Sequence, residues 1–440
     1  MTALTVAGLF SLGDPHRIAA RLPDQDLTLG CLLGRSAALA ARLRRDRVTR
    51  MGLFCSEGHG LVIGLLAAAQ AGCALVMPPG DQPDLLAELS GAWEVLVGDG
   101  PGMMPVWAED GAASFAPVSD IALDFFTSGS TAKPKKVERR LWQLEREVQA
   151  LAEVWPGHGW GYHHATVPHQ HVYGLIFKLL WPLLCGRAFV SRTHQVWEAV
   201  QDGLGENDVL ISSPAHLNRL GGLGAMARPA LLLSAGAPLP PASAAQAQGL
   251  FQVVPVEIFG STETGVMAWR PATDGQAWTP MPGNVIGCDD DGRLSLSSPW
   301  VAGRHRGSDM ITCLPDGGFH LAGRAGRAVK IEGKRVGLAS VENALRALAQ
   351  VDDAAVFKLT GSREQLAAVV VASASGRDEL ARLGAFRFGR LLRQALAGQF
   401  EPLARPRLWR FVAEMPCNDM GKRLDGDLAA LFSPLAGDRA

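Results

Sequence analysis

The amino-acid sequence predicts an α/β protein whose large N-terminal domain is built on helix-covered, mostly parallel sheets. Residues 28–110 alternate helix-like and strand-like segments, among them a helix at 32–43 and a strand at 48–54. Further apolar runs, at 209–213 and 230–236, have the length of buried strands. Strands that alternate with helices are typical of parallel sheets covered by helices on both faces. In such sheets, ligands bind beyond the carboxyl ends of the strands.

The pattern changes after Gly283, where short strands and tight turns predominate. Alternating runs at 293–297 and 316–321, separated by turn residues, predict antiparallel hairpins. A helix at 338–349, strands at 354–359 and 366–372, and a helix at 386–400 are predicted to follow. We therefore expect a β-rich subdomain and a small C-terminal α+β domain, with the core domain at residues 1–325 and the small domain at 326–440.

The amino-acid composition and charge exclude several classes of function. The 440 residues carry a net charge of −1, so no overall field attracts nucleic acid or an anionic membrane. Seven scattered cysteines without a Cys-x-x-Cys pair predict reduced thiols, and neither a disulfide framework nor a zinc site. The N-terminus lacks the pattern of a signal peptide, and the apolar run 61–77 is interrupted and short for a membrane span. We expect a cytoplasmic protein with no nucleic-acid partner and no membrane span.

Residues 125–136, Phe-Phe-Thr-Ser-Gly-Ser-Thr-Ala-Lys-Pro-Lys-Lys, form the most informative stretch of the chain. A small, hydroxylated loop after a buried strand presents backbone N–H groups and hydroxyls in one patch, and lysines add positive charge. Polyphosphate oxygens require such donors. The spacing is not that of a Walker A loop. By itself, the stretch is equally compatible with a polar surface loop.

Two further segments carry candidate chemistry. Histidines stand at positions 163, 164, 169 and 171, and His169 and His171 would share one face of an extended segment. A metal site is disfavoured because no acidic or cysteine ligand has matching spacing nearby, and we prefer a mostly neutral wall of a substrate pocket. Glu263 is a lone acid in a hydroxyl-rich segment. It suits magnesium bound to phosphate, although a solvated loop acid fits equally.

In their order along the chain, these motifs resemble those of the adenylate-forming superfamily, which contains acyl- and aryl-CoA synthetases, luciferases and peptide-synthetase adenylation domains. The resemblance extends from about residue 28 to residue 432. Its seven motifs are the phosphate loop at 127–135, the acyl-pocket segment at 168–174, the adenine turn at 234–239, the segment 259–263, Asp309, the Gly323–Arg324 pair and the terminal segment 416–422.

The resemblance implies roles for individual residues. The residues that would hold the nucleotide are Thr127, Ser128, Gly129, Ser130, Thr131, Lys135, Gly236, Ala237, Pro238, Phe259, Gly260, Ser261, Thr262, Asp309 and Arg324. Those that would carry catalysis are Lys422, Glu263 and Thr131, with Glu263 as the magnesium ligand. The acyl pocket would comprise His171, Val172, Gly174 and Ser234, and the loop of the thiol step would contain Lys330, Gly333 and Lys334.

The implied reaction uses ATP and Mg²⁺ and has two steps. A carboxylate attacks the α-phosphorus of ATP and pyrophosphate leaves. A thiol, of CoA or of the phosphopantetheine arm of an acyl carrier protein, then attacks the acyl-adenylate and gives a thioester and AMP. Because the reacting groups of the first step are all anionic, catalysis consists of positioning and charge neutralisation. In this superfamily the small C-terminal domain rotates between the steps, so it is expected to be mobile.

The absence of an acidic residue from the acyl-pocket segment indicates the class of substrate. Peptide-synthetase adenylation domains carry an Asp in the pocket segment, whereas positions 165–174 contain none. We expect a small aryl or fatty acid rather than an amino acid. By analogy, the chain is similar to compact ligases that load acids onto acyl carrier proteins in secondary metabolism.

Two departures from the superfamily pattern leave alternatives open. Ala132 replaces the usual second glycine of the phosphate loop, and Gly326 occupies the hinge position where Asp or Lys is usual. They motivate a second hypothesis, a catalytically weak nucleotide-binding relative that acts as a partner protein. An oxidase or transferase that forms acyl-adenylates is a third.

Overall fold

The computed structural model describes residues 4–106, 115–127, 135–273, 275–324, 328–331, 334–359, 365–416 and 425–432. These residues form two compact units. The first contains the described residues up to Ile286 together with 296–305, and the second contains 287–295 and the described residues from Arg306 onward. Among the described residues, no helix is both long enough and apolar enough to cross a lipid bilayer.

The helices of the first unit are α1 Val6–Leu12, α2 Leu29–Arg45, α3 Gly58–Ala71, α4 Pro83–Leu89, α5 Leu141–Val154, α6 Val172–Gly174, α7 Trp181–Leu184, α8 Trp197–Gly203, α9 Pro214–Leu217 and α10 Pro241–Phe251. Those of the second unit are α11 Leu338–Arg346, α12 Ala374–Ala395 and α13 Asp425–Ala430. A π-helical segment, Leu175–Leu180, connects α6 with α7.

The strands as far as residue 280 are β1 Ile18–Arg21, β2 Asp26–Thr28, β3 Arg50–Phe54, β4 Ala74–Met77, β5 Val95–Gly98, β6 Met104–Pro105, β7 Ala122–Thr127, β8 Lys135–Arg140, β9 His163–Ala165, β10 Phe189–Val190, β11 Val209–Ser212, β12 Leu231–Ala235, β13 Val256–Ser261, β14 Gly265–Pro271 and β15 Thr279–Pro280. The remaining strands are β16 Val285–Cys288, β17 Arg293–Ser298, β18 Val301–Cys313, β19 Phe319–Arg324, β20 Ala328–Ile331, β21 Lys334–Gly337, β22 Val351–Leu359, β23 Gln365–Ala372 and β24 Leu408–Val412.

A six-stranded sheet in the first unit has the order β6-β5-β3-β4-β7-β8. All neighbouring pairs are parallel except β7 and β8. Its central strands are apolar because a parallel sheet is covered on both faces. Helix α3 is buried on every side, as its almost uninterrupted apolar sequence requires, and it ends at Gly72 in the left-handed conformation.

A nine-stranded sheet in the same unit has the order β15-β14-β13-β12-β11-β9-β10-β1-β2. Its strands from β13 through β1 pair in parallel, and β14, β15 and β2 are antiparallel additions at the two edges. One hydrophobic cluster contains residues of both sheets, for example Leu53 and Leu123 of the six-stranded sheet and Ile211 and Leu233 of the nine-stranded sheet. Packing of a shared core therefore fixes the two sheets against each other.

The second unit contains short, mostly antiparallel strands. Strands β18 and β19 pair antiparallel, as do β20 and β21, and the three-stranded sheet β22-β23-β24 packs with α11 and the second half of α12 around its own hydrophobic core. The predicted fold class, α/β with a β-rich subdomain, is confirmed. The predicted domain boundary at residue 325 stays a prediction, because 325–327 lie outside the described residues.

The structure corrects one detail in the second unit. The predicted helix at 386–400 is the second half of α12, which begins at Ala374 and is interrupted at Gly384, where φ is 76°. Glycine adopts this conformation without the penalty that a Cβ would bring.

Candidate active site

The ends of the predicted phosphate loop lie side by side. Strands β7 and β8 form an antiparallel pair in which Thr127 is opposite Lys135. The predicted phosphate ligands Ser128, Gly129, Ser130 and Thr131 lie outside the described residues and stay predictions. Strand β8 itself was not predicted, because its charged sequence Lys-Lys-Val-Glu-Arg-Arg buries only Val137 and Arg139. The loop therefore runs from strand to strand, and α5 begins only after β8.

Lys135 at the start of β8 contacts Glu263, which is 128 residues farther along the chain. The Lys135 ammonium donates a hydrogen bond of 2.9 Å to a Glu263 carboxylate oxygen. Burial acts to raise the pKa of Glu263, but the hydrogen bond and positive charge of Lys135 contribute to a net lowering below its usual value. The contact joins two sheets, since β8 belongs to the six-stranded sheet and Glu263 follows β13 of the nine-stranded sheet. Two of the predicted site residues are thus brought together.

The turn that carries Glu263 has a defined shape. Ser261 and Thr264 bridge it from both sides: the Ser261 N–H donates to Thr264 Oγ1 at 3.1 Å, and the Thr264 N–H donates to Ser261 Oγ at 3.3 Å. At Gly260 the backbone passes so close to Gly265 that a Cβ would lie 2.3 Å from the Gly265 carbonyl oxygen. The shape of the turn therefore accounts for Gly260 and Ser261 at these positions, in addition to their predicted role in nucleotide binding.

A buried ion pair holds this turn against β8 and α5. Arg139 and Glu147 have side chains 2% and 1% exposed, and their closest N and O atoms are 3.3 Å apart. Arg139 also donates to the Thr262 carbonyl at 3.0 Å, and Glu147 accepts the Val266 N–H at 2.8 Å. Burial raises the pKa of Glu147, and Arg139 opposes that rise. The pair was not predicted, because its only signal in the sequence is two opposite charges on either side of the start of a helix.

The predicted adenine turn follows β12. Gly236 has φ of 99°, so the chain turns there as only glycine readily does, and the partly exposed Ala237 and Pro238 follow. The Leu239 N–H donates to buried Glu257 at 2.8 Å. The buried Ser234 hydroxyl has no hydrogen-bond partner among the described residues. A buried unpaired hydroxyl is rare and marks a place where a ligand or water can bind.

The predicted acyl-pocket residues begin a helical segment. His171 precedes α6, Val172 is partly exposed within it, and Gly174 is buried so tightly that a Cβ would lie 2.2 Å from the Pro168 carbonyl oxygen. Residues 168–171 form a turn, so the expectation of an extended segment was wrong.

The other three histidines of the segment, His163, His164 and His169, are buried and hydrogen-bonded to protein atoms. In the described part of the chain, no group of three or more His, Cys, Asp or Glu side chains could hold a metal ion.

A buried lysine, which the sequence analysis did not single out, anchors this segment. Lys178 lies in the π-helical stretch, fully buried, and its ammonium donates to Ser191 O at 2.8 Å, Thr193 Oγ1 at 2.9 Å and His169 Nδ1 at 3.3 Å. His169 Nε2 contacts the Cys55 carbonyl at 2.9 Å. Burial lowers the pKa of Lys178 to about 7, partly opposed by Glu57. A lone charge in the apolar run 172–185 was the available signal.

A cavity of about 230 Å³ opens at the carboxyl ends of β3 and β5. Its lining comprises Cys55, Glu57, His59, Gly60, Asp99 and Val106, none of them a predicted site residue. His59 also contacts the Ser191 hydroxyl at 2.6 Å, so the cavity borders the surroundings of Lys178.

The second unit carries the remaining predicted residues. Asp309 on β18 is opposite Arg324 on β19, so the two predicted ribose ligands are neighbours in one sheet. Lys330 and Lys334 belong to the hairpin of β20 and β21, in which Ile331 is opposite Lys334. Gly333 and Lys422 lie outside the described residues, and their roles stay predictions.

Comparison with known proteins identifies the family of this chain. The AMP-binding enzyme family matches residues 90–294. The 4-coumarate–CoA ligase of Rhodobacter capsulatus is 32% identical over 311 residues, covering 69% of this chain and 75% of that protein. That of Cereibacter sphaeroides is 28% identical over 304 residues, covering 68% and 70%.

Solved structures extend the comparison to the whole chain. ATP-bound MatB from Rhodopseudomonas palustris superposes with a TM-score of 0.82 at 19% identity, covering 99% of each chain. A benzoate CoA ligase from Burkholderia xenovorans gives a TM-score of 0.78 at 19% identity, covering 96% of this chain and 99% of that one. Together the fold and the sequence relatives define an adenylate-forming protein. The chain belongs to the AMP-binding enzyme family of that superfamily.

Proposed function

We propose that this protein is an ATP-dependent, AMP-forming acid–thiol ligase. The observation that carries the proposal is the 2.9 Å contact between Lys135 and Glu263. It unites the end of the phosphate-loop segment with the acid of a second family motif, although 128 residues separate them in sequence. A cation and an ionised carboxylate that meet at strand ends of two different sheets suit a bound nucleotide triphosphate and its metal.

In the first step, the chain's own groups position and neutralise charge. Residues 127–135 bind the leaving phosphates, with Lys135 as a mobile point charge. The turn at 234–239 contacts the base, and Asp309 and Arg324 bind the ribose hydroxyls. The proposed role of Lys422 is to bridge the substrate carboxylate and the ribose oxygens and to lower the repulsion as the carboxylate attacks the α-phosphorus. The new acyl–phosphate bond replaces the bond to pyrophosphate, which leaves with its electron pair.

Glu263 fits magnesium in the manner typical of nucleotide sites. Mg²⁺ is usually held by one or two carboxylates together with substrate phosphates and water, rather than by an all-protein cage. Glu263 has its pKa lowered and is partly exposed beside Lys135. A bound magnesium ion would supply Lewis-acid neutralisation of the phosphate oxygens.

We propose an aryl carboxylic acid as the substrate class, ahead of a fatty acid. The pocket segment contributes His171, Val172 and Gly174, and no acid between residues 165 and 174 could pair with an α-amino group. The relatives in Rhodobacter capsulatus and Cereibacter sphaeroides act on 4-coumarate, an aryl acid. Ser234, with its unpaired buried hydroxyl, is the proposed polar contact within this pocket.

In the second step, a thiol attacks the acyl carbon and AMP leaves. The small C-terminal domain is proposed to rotate between the steps, so that Lys422 withdraws and the hairpin with Lys330, Gly333 and Lys334 takes its place. The acceptor is CoA or the phosphopantetheine arm of a carrier protein.

Carboxylate-dependent exchange between ATP and pyrophosphate tests the proposal. We expect exchange with benzoates or cinnamates and little with amino acids, in a panel that also contains short and long fatty acids. Substituting Lys422→Ala should lower exchange by orders of magnitude while sparing thiolysis of a supplied acyl-adenylate. Equal loss of both half-reactions would contradict the role of Lys422. Measurable ATP binding without exchange on any acid would favour the catalytically weak relative.

A further inference from the structure

The second unit contains an unusual concentration of positive charge. Between positions 380 and 413 there are seven arginines and one acidic residue, whereas the whole chain has a net charge of −1. Arg382 forms an ion pair with Glu379, and Arg410 donates to Leu431 O and lies over the ring of Phe432. Among the described residues, no ion pair or cation–π contact accounts for the other five arginines.

These five arginines and one aromatic residue form a single surface, which we call the arginine face: Phe386, Arg387, Arg390, Arg393, Arg405 and Arg407. Phe386, Arg390 and Arg393 follow one another at i, i+4 and i+7 on the second half of α12, so they lie along one side of the helix. Arg393 also donates to Pro402 O at 3.2 Å, which brings the segment with Arg405 and Arg407 against the same side.

Within the described part of the chain, none of the five arginines of the arginine face forms an ion pair with a carboxylate. Burial lowers the pKa of Arg393, and the positive charges of Arg407 and Arg405 lower it further. Like charges held together repel one another, and an anionic partner removes that repulsion.

The face also exposes an aromatic ring. Phe386 is 79% exposed, the most exposed large apolar side chain of those described, and it follows the break in α12 at Gly384. Arginine and aromatic residues are enriched at protein interfaces and among the residues that contribute most to binding. An exposed phenyl ring beside guanidinium groups therefore suits a protein partner with an apolar contact surrounded by carboxylates.

We propose that the arginine face docks an acidic carrier protein that delivers the acceptor thiol on its phosphopantetheine arm. This inference rests on the proposed function, which requires a thiol acceptor and leaves its carrier open. Complementary charge between the arginines and the acidic partner speeds the encounter, and the contact around Phe386 fixes its orientation. The face would then select a protein-borne thiol over CoA.

The test uses the full chain and the complete set of the source organism's carrier proteins, each in its apo form and its phosphopantetheinylated form. Binding is measured by fluorescence anisotropy, and thioester formation by steady-state kinetics. The double variant Arg387→Glu with Arg390→Glu changes two exposed side chains. Arg382→Glu is the matched control, an exposed arginine of the same helix outside the face.

We expect the double variant to bind one carrier protein at least tenfold more weakly in both forms. Its KM for the phosphopantetheinylated form should rise by a similar factor, while pyrophosphate exchange and the melting temperature stay unchanged. Arg382→Glu should leave all four quantities near those of the wild type. Phe386→Ser tests the apolar contact without changing charge, and its binding should weaken as well.

Three outcomes would overturn the proposal. If no carrier protein binds the wild-type chain, the proposed partner is wrong. If the wild type and the double variant bind a carrier protein equally, the arginine face is not the binding surface. A tenfold rise in the KM for CoA alone would assign the arginines to CoA phosphates. Absence of pyrophosphate exchange in the wild type would instead refute the proposed function, so the two failures can be told apart.

Discussion

Replacing Lys178 by methionine should change how the stability of the first unit depends on pH. The side chain is fully buried, and its pKa is lowered from 10.5 to about 7. The unfolded chain, whose lysine titrates near 10.4, therefore binds more protons than the folded chain between about pH 7 and 10. Stability must rise with pH in that window and is lowest below pH 7. Lys178→Met removes this dependence and retains most of the side-chain volume.

The magnitude follows from the two pKa values. Below pH 7 the protonated lysine costs the folded state about 5 kcal/mol relative to its neutral form, at 1.36 kcal/mol for each pH unit. Between pH 7 and 9 the wild type should gain about 2 kcal/mol over Lys178→Met. Between pH 6 and 7 the two should change in parallel. The pKa values of the neighbouring His59, His169 and His194 are lowered, chiefly by burial, to about 4, 3 and 4, so these side chains titrate below the window between pH 7 and 9.

Urea unfolding followed by tryptophan fluorescence is the assay, because ten of the eleven tryptophans precede residue 301 and report on the first unit. Lys136→Met, which removes a half-exposed lysine, controls for the loss of one positive charge. Its difference from the wild type should stay constant from pH 7 to 9. If the Lys178→Met difference is constant as well, the lysine is not titrating in that window and the reasoning is refuted.

Three more predictions concern the surroundings of the site. Glu147→Ala should destabilise the first unit by about 3–5 kcal/mol, because it leaves Arg139 buried without its carboxylate partner. In a double-mutant cycle measured by urea unfolding, adding Arg139→Met should recover part of that loss. Gly265→Ala should cost about 2–5 kcal/mol in the same assay, since Gly265 has φ of 63° and a Cβ would lie 2.3 Å from Glu147 Oε2; a neutral result would contradict the described backbone. Acid should destabilise the fold between pH 6.5 and 4, because burial lowers the pKa values of His163 and His169 to about 3 and the unfolded chain takes up the protons first. At pH 5 the loss should be about 2 kcal/mol for each of the two histidines. His163→Asn, measured against the wild type at pH 7 and 5, should remove the part of the loss that is due to His163.

Sequence patterns predicted the elements that have a strong local signal. The apolar runs that became β7, β11 and β12 and the periodic helix α2 lie where expected, because burial on two faces or on one helical side imposes those patterns. Strand β8 was missed because an edge strand exposes most of its side chains and tolerates charge. The first half of α12, with four charged residues among its ten, was missed for a similar reason, since a weak apolar periodicity precedes Gly384.

The features of the candidate site also fall into two groups, those with a local sequence signal and those that depend on contacts between distant segments. The positions of Glu263 and Gly236 follow from short motifs whose turn geometry is local, so the sequence locates them. The Arg139–Glu147 pair and the contacts of Lys178 arise only when distant segments fold together, and a charge in a sequence does not reveal whether it will be buried. The ion pair between Lys135 and Glu263 was not predicted as a contact, although both residues were assigned to the site.

Because the ion pair between Lys135 and Glu263 connects two sheets, the geometry of the candidate site depends on the hydrophobic core packed between those sheets. One partner is fixed to the six-stranded sheet and the other to the nine-stranded sheet, and buried residues such as Leu144 and Val148 of α5 belong to the cluster common to both. A small slip of one sheet against the other would separate the charges while both sheets remained intact. Thermal inactivation should therefore begin below the melting temperature, and substitutions in this core should change turnover without touching any residue that binds substrate.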